Sequence, residues 1–258
     1  KEEMFYPELQ GCCLAPSNPR DMAHLPTELK EQNYGCGSPL PVDDLSGLSV
    51  LDLGSGPVGL WVYALAGRVG AKGKVFGVDL SAENVKRSNA LRSELKEHMK
   101  NYGNLAFPSQ VEFKVADMQD LNGVIESNAL DLVISNCVLN LAPDKQKVCN
   151  EAYRVLKVGG EFTFSDIITD RRLSPNLRSN PEGYWALLTH CYAGALYKQD
   201  LYDILKQAGF IDPRVISISP IRFTEEKLKH ARYDGIREEL VQTTFYSVTM
   251  RAFKLPEL

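Results

Sequence analysis

Leu48-Ser-Val-Leu-Asp-Leu-Gly-Ser-Gly-Pro-Val-Gly59 has the pattern of a buried strand followed by a glycine turn. The strand part is mostly apolar, Gly54 and Gly56 interrupt it, and the apolar run from Leu60 to Val69 predicts a helix. A unit of this kind presents backbone N–H groups and a helix N-terminus to a ligand. Glycine turns also occur for reasons of chain geometry alone, so the ligand has to be inferred from other residues.

Three acidic residues near predicted strand ends indicate the class of ligand. Asp79 closes the next strand, where a carboxylate accepts hydrogen bonds from both hydroxyls of a ribose. Asp52 lies two residues before the first glycine, where nicotinamide-binding strands usually have an apolar residue and a carboxylate suits the cationic methionine end of a nucleoside sulfonium. Asp117 ends a third strand and is placed to meet an adenine edge. Two acids would suit NAD, whereas three favour S-adenosylmethionine (SAM).

From Leu48 onward, predicted strands and helices alternate, which favours parallel strands joined by right-handed crossovers. The expected elements include a helix over residues 81 to about 101, a helix with Pro143 in its first turn that runs to about residue 156, a fifth strand at residues 161–165, a helix at residues 200–207, and terminal strands at residues 214–219 and 245–253. The predicted fold class is α/β, with the doubly wound, Rossmann-like sheet of class I SAM-dependent methyltransferases.

Residues 1–47 have little predicted regular structure, apart from a short helix near residues 27–32. We interpret this segment as a lid over the cofactor, with Met22, Tyr34 and Leu40 as apolar anchors. A disordered tail is the alternative. The predicted organisation is therefore a lid at 1–47, a SAM-binding core at 48–166, and a cap insert with the sheet-completing strands at 167–258.

The composition excludes several classes of protein. The chain has 258 residues, of which 44% are hydrophobic and 24% charged, with a net charge of −4, as expected for one globular domain with a modest appendage. Lysine and arginine form no concentrated face, which argues against nucleic acid as a partner. No run approaches the roughly 20 apolar residues that span a bilayer, and no signal-peptide pattern is present. We therefore expect a cytoplasmic protein with no nucleic-acid or membrane partner. A monomer is the expected oligomeric state.

Six cysteines, at positions 12, 13, 36, 137, 149 and 191, lack the paired spacing of a zinc ribbon. In a reduced compartment they are expected to be free thiols. Cys36 precedes the first strand, Cys137 follows the fourth, and Cys191 lies in the insert after the fifth, so all three are near the rim where such sheets bind ligands. Cys149 falls within a predicted helix, as a small core residue would.

The cysteines near the rim have two interpretations. Each could be an ordinary buried thiol, because cysteine is among the most buried residue types. Alternatively, three cysteines from distant segments could meet above the methyl group of SAM and hold a thiophilic centre. Trivalent arsenic takes three sulfur ligands in a pyramid and keeps a lone pair, so it can be bound and still act as a nucleophile.

Several further stretches form a pattern that is more specific than a glycine turn. They are Tyr34-Gly-Cys-Gly-Ser-Pro39, Leu51-Asp-Leu-Gly-Ser-Gly56, Ile134-Ser-Asn-Cys-Val-Leu-Asn-Leu141, Pro143-Asp-Lys145, Arg154-Val-Leu-Lys157, Gly159-Gly-Glu161, Phe164-Ser-Asp166 and Cys191-Tyr-Ala-Gly-Ala-Leu-Tyr197. In these stretches the chain resembles the arsenite methyltransferase family, over residues 12–254 in register. The resemblance implies that Cys36, Cys137 and Cys191 bind arsenic. It also implies that Cys12 or Cys13 forms a relay disulfide during turnover.

The expected reaction is methyl transfer to trivalent arsenic, whose lone pair attacks the methyl group in line. Alignment of the reactants would supply most of the acceleration, for which effective molarities are worth about 7–11 kcal/mol. The candidate SAM-binding residues are Tyr34, Asp52, Gly54, Ser55, Gly56, Asp79, Leu80, Asp117, Met118 and Asn136. The expected partners are a small substrate, arsenite or its thiol conjugate, and an external thiol reductant such as glutathione or a thioredoxin-like protein.

Two other functions are compatible with the same residues. One is a small-molecule methyltransferase acting on oxygen, nitrogen or carbon, in which the cysteines are incidental. The other is a non-catalytic SAM- or metalloid-binding protein. It is suggested by Pro57-Val-Gly-Leu-Trp61, because the turn of the arsenite methyltransferase family usually continues with an Arg-Asp pair.

Overall fold

The structure, a computed structural model, describes residues 22–32, 36–41, 43–101, 107, 110–175, 191–224 and 236–256. Its strands are β1 (Ser49–Leu53), β2 (Lys74–Asp79), β3 (Val111–Val115), β4 (Leu130–Asn136), β5 (Leu156–Thr169), β6 (Leu196–Tyr197), β7 (Ile211–Arg222) and β8 (Thr244–Phe253). Its α-helices are α1 (Thr27–Lys30), α2 (Leu60–Val69), α3 (Ala82–Glu94), α4 (Lys96–Asn101), α5 (Lys145–Val155), α6 (Lys198–Gln207) and α7 (Arg237–Gln242). Among these residues, no helix is both long and apolar enough to cross a bilayer.

The strands form one eight-stranded sheet in the order β3-β2-β1-β4-β5-β8-β7, and the short β6 pairs with β5. The pairs among β1 to β5 are parallel, whereas β8 is antiparallel to both β5 and β7. The predicted doubly wound sheet with a terminal antiparallel pair is thereby confirmed. Strand order reverses between β1 and β4, and ligands of such sheets bind in the crevice beyond the carboxyl ends at this point.

Alternating side chains of the central strands build a separate apolar core on each face of the sheet. On one face, Val50 of β1 belongs to a buried cluster with α2, in which every residue from Leu60 to Ala66 is buried. On the other face, Leu51 and Leu53 pack in a cluster with buried residues of α5 and α6. Both faces are covered, as parallel sheets require.

The segment before β1 packs on the outer side of α2. Met22, Leu25 and Leu40 are buried in the same apolar cluster as that helix. The Arg68 guanidinium donates hydrogen bonds to the carbonyl oxygens of Pro41 and Asp43 at 2.7 and 2.8 Å. Two of the three predicted anchors, Met22 and Leu40, are therefore buried. The third, Tyr34, lies outside the described residues.

Several predicted element boundaries differ from the structure for local reasons. The predicted N-cap at Ser81 is confirmed, since its hydroxyl accepts the Asn84 N–H, but the helix is interrupted at Leu95 between α3 and α4. The prediction that Pro143 lies in a first turn is wrong. Asp144 is the N-cap of α5, because its side chain accepts the Lys147 N–H. The helix therefore begins at Lys145, and Pro143 lies before it.

Strands β5 and β7 are longer than their sequence patterns indicated. β5 runs from Leu156 to Thr169, because β8 pairs with it along residues 161–169. β7 runs from Ile211 to Arg222, with two register irregularities in its pairing with β8. Helix α6 begins at Lys198, two residues before the predicted start. Long-range pairing therefore extends these strands beyond the limits of their local alternation.

Candidate active site

The glycine turn after β1 lies against the loop that follows β4. Gly54 has a φ of +71°, in the left-handed region, and a Cβ atom there would lie 2.4 Å from a methyl carbon of Val138. Only glycine satisfies both the backbone angle and the close approach. The backbone N–H groups of Gly54 and Ser55 both donate to the Val78 carbonyl at 2.9 Å, which ties the turn to β2.

Asp79 is held against this turn by hydrogen bonds from backbone and side chain. Its Oδ2 accepts the Gly56 N–H at 2.9 Å, and its Oδ1 accepts the Ser81 N–H at 2.9 Å and the Asn84 amide at 3.0 Å. The carboxylate is half-buried at the end of β2. This is the position that the sequence predicted for the ribose-binding acid.

A cavity of about 380 Å³ opens beyond the carboxyl ends of β1, β2 and β3. Its lining residues are Gly54, Gly56, Val78, Asp79, Leu80, Asn84, Ala116, Asp117, Met118, Gln119, Val138, Leu141, Ala142 and Pro143. Two of its apolar residues are notably exposed, Leu80 at 74% and Leu141 at 42%. The volume of the cavity lies within the range of small-molecule sites. The predicted SAM-binding residues that line it are Gly54, Gly56, Asp79, Leu80, Asp117 and Met118.

Asp52 lies behind the turn and carries an unpaired buried atom. Its side chain is 1% exposed, and its Oδ2 has no hydrogen-bond partner among the described residues. Burial, and secondarily the charge of Asp79, raises the pKa of Asp52 well above its ordinary value. The hydroxyl of Ser55 is likewise buried without a partner among these residues. Unsatisfied buried polar groups of this kind fit a ligand that brings a positive charge and hydrogen-bond donors to the turn.

Asn136, at the end of β4, interacts with the segment that precedes β1. Its Oδ1 accepts the Cys36 N–H at 2.9 Å, and its Nδ2 donates to the Gly37 carbonyl at 3.0 Å. The side chain is buried and is not among the residues that line the cavity. These contacts support a structural role for Asn136 in positioning the Cys36 backbone, and the predicted contact with SAM stays a prediction.

Three cysteines from distant segments meet beside the cavity. The sulfur atoms of Cys36, Cys137 and Cys191 and a carboxylate oxygen of Asp166 all lie within 4.8 Å of one another. Cys36 and Cys191 are buried, and Cys137 is half-buried. The predicted convergence is therefore present in the described residues, and Asp166 is a member that was not predicted from the sequence. We call these four residues the sulfur cluster.

Two members of the sulfur cluster are joined covalently. Cys36 and Cys137, 101 residues apart, form a disulfide with a Cα–Cα distance of 5.7 Å. Cys191 takes no part in this disulfide, and its Sγ donates to the Cys137 carbonyl at 2.9 Å. The expectation that all the cysteines are free is therefore wrong for this pair. Sequence spacing carries no signal for a disulfide between segments so far apart.

Strand pairing explains how Cys191 reaches the cluster. β4 pairs with β5 as far as Ser165, and β8 occupies the other side of β5 along residues 161–169. β6 pairs with Ile168 and Thr169 of β5, so it lies on the same side as β4, just past its end. Cys191, five residues before β6, is thereby placed next to Cys137. Both cysteines have positive φ, +66° and +57°, a conformation that is costly for non-glycine residues and concentrates at functional sites.

Asn140 connects the cluster to the end of β5. Its backbone N–H donates to Asp166 Oδ2 at 3.0 Å, and its side-chain amide donates to the carbonyls of Ile167 and Cys191 at 2.7 and 3.2 Å. The Ile167 N–H donates to Asp166 Oδ1 at 2.8 Å. Burial raises the pKa of Asp166 to about 7, although these N–H groups act in the opposite direction.

The remaining predicted residues are distributed as follows. Cys12, Cys13 and Tyr34 lie outside the described residues, so their predicted roles stay predictions. Cys149 is a free thiol buried in α5, as predicted, and burial raises its pKa to about 12. Asp166 and Asn140 lie within stretches that resemble the arsenite methyltransferase family, but nothing in the local sequence indicated their roles.

Comparisons with known proteins agree with this geometry. A family described as "Methyltransferase domain" matches residues 44–209. An arsenite methyltransferase of Aquipseudomonas alcaligenes is 40% identical over 96% of this chain, and one of Rattus norvegicus is 35% identical over 92%. The chain spans 67% of the length of the first and 60% of the second.

Solved structures give the same result. The crystal structure of an arsenic (III) S-adenosylmethionine methyltransferase from Chlamydomonas reinhardtii matches with a TM-score of 0.78 and 38% identity, over 94% of this chain and 75% of that one. A putative methyltransferase of Bacillus halodurans, 20% identical, matches with a TM-score of 0.56 over 81% of this chain and 93% of its own, which concerns the fold alone. The sheet is that of class I SAM-dependent methyltransferases, and the chain belongs to the arsenite methyltransferase family.

Proposed function

We propose that the protein methylates trivalent arsenic, using SAM as the methyl donor and the thiolates of Cys36, Cys137 and Cys191 as arsenic ligands. The sulfur cluster is the single observation that supports this most directly. Three sulfur atoms and one carboxylate oxygen lie within 4.8 Å of one another, although the cysteines come from three distant segments. Soft thiolates select soft centres such as trivalent arsenic.

The cavity beside the cluster is the proposed SAM site. Asp79 would bind the ribose, the exposed Leu80 and Leu141 would contact the adenine ring, and Asp52 would face the cationic methionine end. The Asp52 Oδ2 has no hydrogen-bond partner among the described residues, and this supports the orientation, because a buried carboxylate is stabilised by a nearby positive charge. When bound, SAM supplies an electrophilic methyl group.

The two sites adjoin, which is what direct transfer requires. Val138 lines the cavity and contacts Gly54, and it directly follows Cys137 of the sulfur cluster. Arsenic bound by the cysteines would therefore lie at the inner end of the cavity. The protein's task is to hold the two reactants in alignment, and that task is worth about 7–11 kcal/mol where it is done well. No proton has to leave arsenic, so no general base is needed for the transfer itself.

The Cys36–Cys137 disulfide has to be opened before arsenic can bind. An external dithiol would reduce it by thiol–disulfide exchange, giving two cysteine thiols and leaving the dithiol oxidised to its own disulfide. Methyl transfer uses the arsenic lone pair and formally oxidises arsenic from the trivalent to the pentavalent state. Formation of a disulfide from two cysteine thiolates releases two electrons, which is the number needed to return arsenic to the trivalent state. We therefore propose an external thiol reductant as co-substrate, and a reduced compartment such as the cytoplasm as the setting.

One assay tests the proposed reaction. Reduced protein is incubated with SAM, a thiol and arsenite, and the arsenic species are separated by chromatography. We expect methylated arsenic with the wild type and with Cys149→Ser, whose thiol lies outside the cluster. We expect a decrease of about 100-fold or more in Cys137→Ser and Cys191→Ser, as a few kcal/mol of lost alignment would produce. Unchanged rates in the two cluster variants would contradict the three-thiolate arrangement, and no methylated arsenic with the wild type would contradict arsenite as the substrate.

A further inference from the structure

The sulfur cluster offers one ligand more than trivalent arsenic uses. Arsenic bound by Cys36, Cys137 and Cys191 would be three-coordinate, with a lone pair in the fourth direction. The carboxylate oxygen of Asp166 nevertheless lies within 4.8 Å of all three sulfur atoms. Three sulfurs and one oxygen make a four-ligand set, which suits cations that prefer tetrahedral coordination.

We propose that the reduced sulfur cluster is also a site for a thiophilic divalent cation, Zn²⁺ or Cd²⁺, bound by the three thiolates and the Asp166 carboxylate. A cation in this site would exclude arsenite, because it would occupy the same three sulfur atoms. The exclusion of arsenite rests on the proposed function, whereas cation binding rests on the geometry of the cluster alone.

The spacing of the ligand atoms is compatible with a tetrahedral cation. With a Zn–S distance of about 2.3 Å, two ligand atoms on a tetrahedron lie about 3.8 Å apart. The separations in the cluster extend to 4.8 Å. The sulfur atoms of Cys36 and Cys137 are bonded to each other and must move apart after reduction, whereas the longest separations must contract by about one ångström. Both changes are within the reach of side-chain rotation, because the three cysteine side chains are independent once the disulfide is reduced.

Asp166 has the properties of a ligand that is already positioned. Its Oδ1 accepts the Ile167 N–H at 2.8 Å and its Oδ2 accepts the Asn140 N–H at 3.0 Å. A carboxylate has about four lone-pair directions, so each oxygen keeps one for a cation. Hydrogen bonds of this kind orient metal-ligating carboxylates in known sites. The side chain is only 2% exposed, and buried carboxylates are normally paired or coordinate a metal.

The charge of the ligand set does not argue against a divalent cation. Three thiolates and one carboxylate carry the same total charge as the four thiolates of a Cys₄ zinc site, which is a common structural site. Reduction of the Cys36–Cys137 disulfide by an external dithiol or phosphine supplies the two missing thiols, and the reductant is oxidised. The cation then displaces the thiol protons to solvent.

The test uses the whole chain, reduced with a phosphine and freed of it under anaerobic conditions. Cadmium chloride is added while the thiolate-to-cadmium charge-transfer absorption is followed, and the zinc-loaded protein is examined by X-ray absorption at the zinc edge. We expect one cation per chain and a first shell of three sulfurs at about 2.3 Å and one oxygen at about 2.0–2.2 Å. This measurement on the wild type does not depend on whether any variant folds.

Variants identify the oxygen ligand. Loss of an outer-shell partner alone lowers metal affinity by about 10–100-fold. Asp166 is proposed as a direct ligand, so Asp166→Asn should weaken Cd²⁺ binding by at least about tenfold. It should weaken arsenite binding by the three cysteines less than it weakens Cd²⁺ binding, because arsenic takes no ligand from Asp166, and Cys149→Ser should change neither. Circular dichroism checks that Asp166→Asn is folded. A zinc shell without oxygen, or unchanged Cd²⁺ affinity in folded Asp166→Asn, overturns the inference.

Two combined outcomes separate this inference from the proposed function. If the wild type methylates arsenic but binds neither cation at one per chain, the cation site is wrong and the proposed function stands. If the wild type binds zinc through three sulfurs and one oxygen but methylates no arsenic, the cation site is supported and the proposed function is wrong.

Discussion

The side chain of Asn136 holds the backbone of Cys36 at the carboxyl end of the sheet. Its Oδ1 accepts the Cys36 N–H at 2.9 Å, while its Nδ2 donates to the carbonyl of the next residue at 3.0 Å. Both groups are buried and lie 100 residues apart in sequence. A side-chain amide is suited to this task, because it pairs at once with one backbone donor and one backbone acceptor. The position of one arsenic-binding candidate therefore depends on the side-chain amide of Asn136.

We expect Asn136→Ala to weaken arsenite binding to the reduced protein by about tenfold or more, because it leaves a buried N–H and a buried carbonyl unpaired at a cost of about 1–3 kcal/mol each. Equilibrium dialysis with arsenite measures this effect. The matched control is Asn150→Ala, since Asn150 is exposed on α5 and its Oδ1 accepts a hydrogen bond from the exposed face of the same helix, at Gln146. Equal arsenite affinity in Asn136→Ala and the control would show that the hydrogen bonds do not position Cys36.

Gly194 allows the Cys191 segment to approach the loop after β4. A Cβ atom at this position would lie 1.9 Å from the backbone carbonyl oxygen of Asn140, which cannot move as a flexible side chain would. We expect Gly194→Ala to displace the segment and reduce both arsenite binding and the free energy of unfolding, the latter by about 1–3 kcal/mol. Denaturant titration and equilibrium dialysis measure the two effects.

Gly70→Ala is the control for this variant. Gly70 has a φ of +64° with open space around the missing Cβ, so alanine there costs about 1–2 kcal/mol of backbone strain without a clash. We expect it to lower stability while arsenite binding stays at the wild-type value. If both glycine variants lose arsenite binding equally, general destabilisation would account for the effect of Gly194→Ala.

Much of the fold could be predicted because its signals are local. The period of apolar residues and the glycine turn indicate the first strand and α2, and the Ser81 hydroxyl starts α3 as an N-cap should. The limits of β5 could not be predicted in this way. Its length depends on antiparallel pairing with β8, whose sequence lies about eighty residues further along the chain.

The residues of the candidate site also fall into two groups, those that local sequence predicts and those that long-range contacts place. Asp79 and the glycines were predictable because a strand end and a turn fix them locally. The roles of Asp166 and Asn140 were not, since they arise from contacts between the ends of β4, β5 and β6. The predicted contact of Asn136 with SAM stays a prediction, and the hydrogen bond of its amide to the backbone of Cys36 was not foreseen. A sequence pattern identifies the type of side chain at a rim, and only the packing decides which neighbour it meets.

Gly54 and Val138 give a test of the turn itself. Alanine at position 54 would meet the Val138 side chain at 2.4 Å and would also occupy a positive φ. We expect Gly54→Ala to weaken SAM binding strongly, because the turn and the cavity wall would both shift. Adding Val138→Ala removes the methyl carbons at 2.4 and 2.8 Å but leaves the Cβ atom of residue 138 at 2.9 Å and the backbone strain of about 1–2 kcal/mol, so affinity should recover in part. Isothermal titration with SAM measures both variants, and no recovery in the double variant would assign the effect to the backbone angle and the remaining Cβ contact.

Asp52 makes stability and SAM binding depend on pH in opposite senses. Its pKa in the folded protein is raised by burial and by Asp79 above the unfolded value of about 3.9. The folded state without ligand therefore binds more protons than the unfolded state between those two pKa values. The contribution of Asp52 to the free energy of unfolding is fully present below about pH 4 and is lost as pH rises through the folded pKa of Asp52. We expect Asp52→Asn, in the absence of SAM, to become progressively more stable relative to the wild type over this interval.

A positively charged ligand reverses the preference of the folded protein for protonated Asp52, because it stabilises the ionised carboxylate. SAM binding to the wild type should therefore release a proton and strengthen as pH rises toward the folded pKa of Asp52, whereas Asp52→Asn should bind SAM weakly at every pH. Calorimetry in two buffers of different ionisation enthalpy detects the proton, and denaturant titrations at several pH values measure the stability. Asp44→Asn is the control of opposite sign, since hydrogen bonds from Ser46 lower the pKa of that exposed carboxyl. Parallel stability profiles for Asp52→Asn and the wild type, together with equal SAM affinities, would exclude Asp52 as the residue that faces the cationic end of the ligand.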